Sequence, residues 1–282
     1  TWSFDSIDDL ESITTGGKLN LNYKVKLKDS VQAGQELGNA VTVDWHSMTN
    51  DDSNDEIRNY DLTIEADNSN NEKIKTADTS GITKSKGSTT FGSGKDVRIG
   101  DIVTYKLEID LQKGLTSNFI IKDQLPAGMK YVDTVSINDS EDLSKDNLNG
   151  FDYDISSLEP TTVETDEGEK ITWNVGNITN PSDGENRTFT IFYRAQVTDD
   201  DTFENHKENI SLENKAAISY AGIDNTRDGI KSEEKIDLKQ PELKLSISHN
   251  IDADNKVVPS DPVSYTITAQ NNGSAPAYDT KL

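Results

Sequence analysis

Carboxylates and asparagines are the side chains with chemistry to offer here, and they come in clusters. Asp139, Glu141, Asp142 and Asp146 crowd one stretch, followed by Asn147, Asn149 and Gly150. Asp199, Asp200 and Asp201 stand together with Glu204 close behind, and Asp44, Asp51, Asp52, Asp55 and Glu56 form a third group. Calcium takes several oxygens from carboxylates, Asn side chains and backbone carbonyls. None of the clusters has the spacing of a twelve-residue EF-hand loop. Calcium is therefore the one cofactor these residues suggest, with Asp139, Glu141, Asp142, Asp146, Asp199, Asp200 and Asp201 as candidate ligands. The competing reading is solvated loop charge. Asn138, Asn177, Asn186, Asn209 and Asn272 each begin an Asn-x-Ser/Thr acceptor pattern for N-glycosylation, a pattern that also arises by chance in an Asn-rich chain.

Two further asparagines stand out by parity. Leu212, Asn214, Ala216, Ile218 and Tyr220 fall on one face of an alternating segment, and Leu37, Asn39, Val41, Val43 and Trp45 repeat the pattern. An Asn on an apolar face is expected to be buried and hydrogen-bonded, because an unsatisfied buried amide costs about 1–3 kcal/mol. Asn39 and Asn214 are thus expected as structural ties. Catalysis finds no support. His46, His206 and His249 are scattered, cysteine is absent, and no Gly-rich loop or Ser elbow opens a helix.

Composition narrows the partners. The chain has 282 residues, 28 Lys and Arg against 51 Asp and Glu, and a formal net charge of −23. Nucleic acid needs clustered basic residues to neutralise phosphates, so it is excluded as a partner. Anionic membrane surfaces are disfavoured. No apolar run approaches the roughly 20 residues that span a bilayer, so membrane attachment would need an anchor elsewhere.

The elements that position these residues are strands. Leu19, Leu21, Tyr23, Val25 and Leu27 alternate with polar residues, as do Phe189, Ile191, Tyr193, Ala195 and Val197, and Val103, Tyr105, Leu107 and Ile109. Period-two alternation puts one face in a core and one in water. Many such strands, separated by Gly, Asn, Asp and Pro, predict an antiparallel sandwich. Segments also recur. Thr1–Ile7 resembles Thr172–Ile178, and Val97–Tyr105 resembles Val257–Tyr265. The expected organisation is the C-terminal half of one module over 1–59, a complete module over 60–240, and the N-terminal half of a third over 241–282. The stretches 67–95 and 138–150 read as long surface loops.

Four pieces in order carry a family resemblance. These are Ile99-Gly100-Asp101-Ile102-Val103-Thr104-Tyr105, then Lys122-Asp123-Gln124-Leu125-Pro126-Ala127-Gly128, then Ile171-Thr172-Trp173-Asn174-Val175-Gly176-Asn177-Ile178, then Leu212-Glu213-Asn214-Lys215-Ala216-Ala217. The series resembles the DUF11 repeat of prokaryotic cell-surface proteins and is similar to the related D2-type domain of fimbrial subunits. The resemblance implies an all-β fold of tandem immunoglobulin-like antiparallel β-sandwich modules, an extracellular cell-surface location, and no catalytic activity. Some fimbrial relatives join a Lys on the first strand to an Asn through an isopeptide bond. Here the stretch Tyr60 to Glu65 contains no Lys, and Thr63 stands where Lys244 stands in the third module. The bond is therefore not expected in the central module; Lys244 is the alternative nucleophile. Core packing is expected for Trp2 and Trp173.

The function expected is a structural or adhesive repeat region of a secreted surface protein, a stalk or surface array. One alternative is a self-assembling extracellular filament or surface layer, completed by strands from neighbouring copies. Another is an accessory module of a large surface enzyme. The partners expected are neighbouring modules and copies of the same protein.

Overall fold

A computed structural model describes residues 13–32, 34–39, 41–46, 57–62, 73–77, 80–92, 94–138, 141, 150–153, 158–183, 187–203, 210–221, 226–252 and 256–281. Its strands are β1 (Glu36–Leu37), β2 (Val41–His46), β3 (Ile57–Leu62), β4 (Ile74–Lys75), β5 (Gly81–Thr89), β6 (Asp96–Val97), β7 (Ile102–Asp110), β8 (Gly114–Gln124) and β9 (Met129–Ile137). They continue as β10 (Asp152–Tyr153), β11 (Thr161–Thr165), β12 (Gly168–Asn180), β13 (Phe189–Val197), β14 (Ile210–Ala221), β15 (Thr226–Leu238), β16 (Leu243–His249) and β17 (Tyr265–Asn271). One short 3-10 turn at Asp201–Phe203 is the only helical element among the described residues.

The centre of the chain is an immunoglobulin-like β-sandwich. One sheet runs β10-β12-β8-β14-β15-β6, with β11 also on β12; the other runs β5-β7-β13-β9. Pairing is antiparallel except between β15 and β6. The alternation read from the sequence is realised directly: β13 buries every second side chain from Phe189 to Val197, and β7 does the same from Val103 to Ile109. Burying such a side chain contributes about 1.5–3 kcal/mol. Trp173 is fully buried, as its parity predicts, and donates its indole N–H to Thr134 Oγ1 at 3.1 Å.

Polar side chains fix the ends of strands. Asp101 is fully buried, and its two carboxylate oxygens accept the backbone N–H groups of Phe91 (3.0 Å) and Arg98 (2.8 Å). Asp261 accepts the N–H of Val258 at 2.8 Å in the same way, so the repeat seen in the sequence is also a repeat of turn chemistry. Gly128 has φ +80°, and an added Cβ would lie 2.0 Å from the Phe203 ring. The glycine lets the 3-10 turn close over the end of the core.

The strand Ile57–Leu62 pairs with β2, in register from Val41↔Leu62 to His46↔Ile57. The central sandwich takes its first strand at Gly81, beyond the expected edge at 60. Residues 81–89, read from sequence within a surface loop, are that strand. The segment before it docks on the sandwich through the Leu115 N–H, which donates to Val31 O at 3.0 Å, and is tied within itself by Thr76 Oγ1, which donates to Gln32 O at 2.6 Å.

On the surface, Glu213 of β14 is held by Lys235 across the strand and by Lys215, each at 3.1 Å. Their hydrogen bonds pull its carboxyl from the ordinary 4.5 down to about 2. A depressed carboxylate stabilises the fold above its ordinary value and loses that contribution as pH falls through the folded value. Glu213→Gln is therefore expected to flatten the fall in melting temperature between about pH 4.5 and 2, as thermal melts across that range would read. The effect is small and weakens with salt, because the group is exposed. An unchanged slope would show that the three charges act independently.

Candidate functional site

Three side chains capable of amide chemistry meet in the middle of the core. Lys84 lies on β5, Asp123 on β8 and Asn214 on β14. Lys84 comes from one sheet, and Asp123 and Asn214 from the other. Their relative exposures are 4%, 1% and 0%. Lys84 Nζ pairs directly with Asp123 Oδ2. It also donates to the Tyr193 hydroxyl at 2.6 Å, and Asn214 Nδ2 donates to the same hydroxyl at 2.9 Å. The nucleophile and the amide therefore share one oxygen.

Strand register puts them there. Lys84 is opposite Leu107 of β7, whose side chain is fully buried, so the pleat sends both inward. Asp123 is opposite Ala216 of β14, two residues from Asn214 and on the same face. Aromatic rings wall the site. Tyr105 and Tyr193 stack with centroids 5.5 Å apart, Trp173 lies 5.4 Å from Tyr193, and Lys84 Nζ sits 4.8 Å and 5.1 Å from the two tyrosine rings.

This environment favours neutral groups. Burial pushes the Lys84 ammonium down from 10.5, against the attraction of Asp123. Burial pushes the Asp123 carboxyl up from 3.8, against the attraction of Lys84. Both shifts act toward a free amine beside a protonated acid. The same burial drives the Tyr193 hydroxyl well above its ordinary value, so it stays un-ionised. Asn214 Oδ1 and Asp123 Oδ1 are buried without an aligned hydrogen-bond partner. Buried acceptors in folded proteins are mostly paired, so each orphan calls for a physical account.

A neutral amine and an amide that meet on one hydroxyl, with a carboxyl group paired to the amine, can form a new amide. The Lys84 Nζ–Asn214 Cγ bond forms, the Cγ–Nδ2 bond breaks, and ammonia leaves carrying one proton from Nζ. Asp123 can protonate the carbonyl oxygen as the tetrahedral centre forms and recover the proton as it collapses.

The sequence reading expected Asn214 at a buried position, where it lies, and weighed a structural tie there against an isopeptide bond. It looked for the lysine on Tyr60–Glu65, of which Tyr60–Leu62 pairs with β2. The first strand of the sandwich carries Lys84 instead. Lys244 is exposed and lies on the opposite face of β16 from Leu243, Leu245 and Ile247. Ile247 pairs with Ile267 as Lys84 pairs with Leu107, so isoleucine holds the corresponding place in the third repeat.

Other candidate residues are dispersed. Asn39 is exposed, not buried as expected, since no second sheet covers it among the described residues; its amide donates to the Tyr23 hydroxyl. Asn138 is buried, accepts the Thr190 N–H at 2.9 Å through Oδ1, and is thereby removed from the surface position a glycan requires. Asn177 and Asn272 are exposed. Asp199 and Asp200 precede the 3-10 turn and Asp201 opens it, and Asp199 Oδ1 accepts the Asp200 N–H at 3.1 Å. Among the described residues no three His, Cys, Asp or Glu side chains converge on a common point. Glu141 is described, while Asp139, Asp142, Asp146, Asn186, Asn209 and Trp2 lie outside the described residues. No helix of the described residues is long and apolar enough to cross a membrane.

No family model matches the chain, and no curated protein matches it. Solved structures do. The major pilin SpaA of Corynebacterium diphtheriae aligns with a TM-score of 0.38 at 12% identity, over 71% of this chain and 54% of that one. The Bacillus cereus major pilin subunit BcpA aligns with a TM-score of 0.34 at 11% identity, over 78% of this chain and 66% of that one. The full-length major pilin SpaD of Corynebacterium diphtheriae aligns with a TM-score of 0.34 at 12% identity, over 61% of this chain and 42% of that one. The chain thus spans about half the length of these structures.

Proposed function

We propose that the central module is a self-cross-linking sandwich, closed by an isopeptide bond between Lys84 and Asn214 with Asp123 as proton shuttle. The observation that carries this reading is the fully buried Lys84–Asp123–Asn214 cluster bridging the two sheets. A buried ion pair alone is a weak device for stability, because desolvation offsets its attraction. A bond-forming site explains why evolution would place a lysine, an acid and an unsatisfied amide oxygen in one aromatic pocket.

The chemistry is a single internal event. It makes the module a covalent structural element and involves no turnover of an outside substrate. Such a module suits a stalk or surface array of DUF11-like repeats on the outside of a cell. The acidic surface keeps such an array soluble by mutual repulsion. A filament reading rests on the apolar faces of β16 and β17, where Leu243, Leu245, Ile247, Tyr265 and Ile267 are exposed. Those faces fit the core side of a further sandwich.

Intact-mass measurement tests the cross-link. The purified chain is expected about 17 Da below its sequence mass, one ammonia lost, with Lys84 and Asn214 in a single branched peptide after digestion. A chain at its full sequence mass would refute the proposal.

A further inference from the structure

We infer that Tyr193 is a working part of this site: its hydroxyl relays a proton from the attacking nitrogen to the departing one. The inference rests on the cross-link reading above and deepens it. Three observations carry it. The Tyr193 oxygen accepts from Lys84 Nζ at 2.6 Å and from Asn214 Nδ2 at 2.9 Å, so it touches the nitrogen that must lose a proton and the nitrogen that must gain one. The hydroxyl is wholly buried, with its ring held between Tyr105 and Trp173, away from bulk solvent. The Asn39 amide also donates to the Tyr23 hydroxyl, and Tyr23 and Asn39 occupy the places of Tyr193 and Asn214 in the preceding repeat. The tyrosine–asparagine bond is thus a feature of the repeat and not a chance contact of one core.

The step balances. As the Nζ–Cγ bond forms, the nitrogen becomes acidic and passes one proton to the Tyr193 oxygen. Tyr193 gives its own proton to Nδ2, the Cγ–Nδ2 bond breaks, and neutral ammonia departs. Tyrosine ends as it began. Asp123 serves the carbonyl oxygen, so the two proton transfers of the reaction fall to two different residues. An amide nitrogen is a poor leaving group until protonated, and the Tyr193 hydroxyl is hydrogen-bonded to Nδ2 itself. The hydrogen bond has a second effect: it turns Nδ2 toward Tyr193 and so fixes which way the amide faces.

The test follows ammonia loss in time. Full-length chain is kept unfolded in denaturant, where the three side chains are apart, and then diluted into native buffer. Aliquots are quenched and weighed by intact mass, while circular dichroism follows folding. Tyr193→Phe keeps the ring and removes the hydroxyl. It is expected to fold with wild-type circular dichroism and to lose ammonia about 100-fold more slowly, the scale of one positioned proton transfer. Placing 3,5-difluorotyrosine at 193 keeps the hydroxyl at nearly the same size but makes it more acidic, and is expected to change the rate without changing the fold. A purely structural role would leave that rate unmoved. Wild-type rates in both variants would overturn the relay while leaving the cross-link intact. If Tyr193→Phe does not fold, the fluorinated chain decides alone: an unchanged rate overturns the relay. A wild-type chain that folds and never loses ammonia refutes the cross-link, and the relay with it.

Discussion

Lys84→Met is expected to leave the chain at its full mass and to lower the stability of the central module by about 5 kcal/mol. The figure is the loop-closure contribution of a link between positions 84 and 214, by the relation used for disulfides. An amide at the same place closes the same loop and constrains the unfolded chain in the same way. For a domain of this size, about 2–4 °C of melting temperature corresponds to each kcal/mol. The expected fall is therefore on the order of 10–20 °C. Methionine fills the volume of the lysine stem, so little of that fall comes from a cavity. Calorimetry of the wild type and Lys84→Met measures it directly. Melting temperatures within two or three degrees of each other, roughly one kcal/mol, would mean that no covalent closure exists in the wild type.

Asp123→Asn is expected to fold, to retain Lys84 as a free amine, and to slow ammonia loss by about 10²–10⁴-fold. Its pH dependence should also differ from that of Lys84→Met. In an unreacted Lys84–Asp123 pair one proton is shared, whichever residue holds it. The unfolded chain also holds one proton on these two groups between the ordinary values of 3.8 and 10.5. Proton numbers match, so the pair contributes little slope across that range. Removing the carboxylate removes the attraction that sustains the Lys84 charge, leaving the burial that lowers it. The unfolded lysine then binds a proton that the folded one does not. Stability must rise with pH through that window, up to the ordinary value of 10.5. Asp123→Asn is therefore expected to melt at a higher temperature at pH 9 than at pH 6, by thermal scan in matched buffers. Lys84→Met lacks the titrating amine and should not share this rise. Identical slopes in the two variants would show that Lys84 is solvated rather than enclosed.

Much of the sandwich was legible because its strands obey the simple rule of alternation. β7 and β13 read correctly from their apolar residues alone, and Asn214 declared itself by sitting at an inward place. β5 obeys the same geometry with the wrong composition. Its sequence, Gly81-Ile82-Thr83-Lys84-Ser85-Lys86-Gly87-Ser88-Thr89, reads as a polar loop. The side chain it sends deepest into the core is a lysine, which is almost never fully buried without a partner. Hydrophobic periodicity cannot detect a strand whose inward residue is charged in water. A signal was nonetheless available. The strand Leu243–His249 precedes Tyr265, and the same offset counted back from Tyr105 lands on residues 83–89. The anchor of that count is the repeated turn of Asp101 and Asp261. Tyr193 was placed in the core by parity, but its hydroxyl partners arrive from two other strands, and one strand's sequence does not name them.

The isoleucine at 247 has a mechanical consequence. Pull on a sandwich bridged from 84 to 214 and tension runs down the first strand, crosses the amide, and leaves through the last two strands. Everything between stays slack, some 450 Å of contour at about 3.5 Å per residue that stretching never releases. A neighbour with isoleucine at that place has no such short cut and yields its whole length when its sheets part. Set end to end, the two kinds of unit behave as cable and spring: one fixes reach, and the other absorbs the shock.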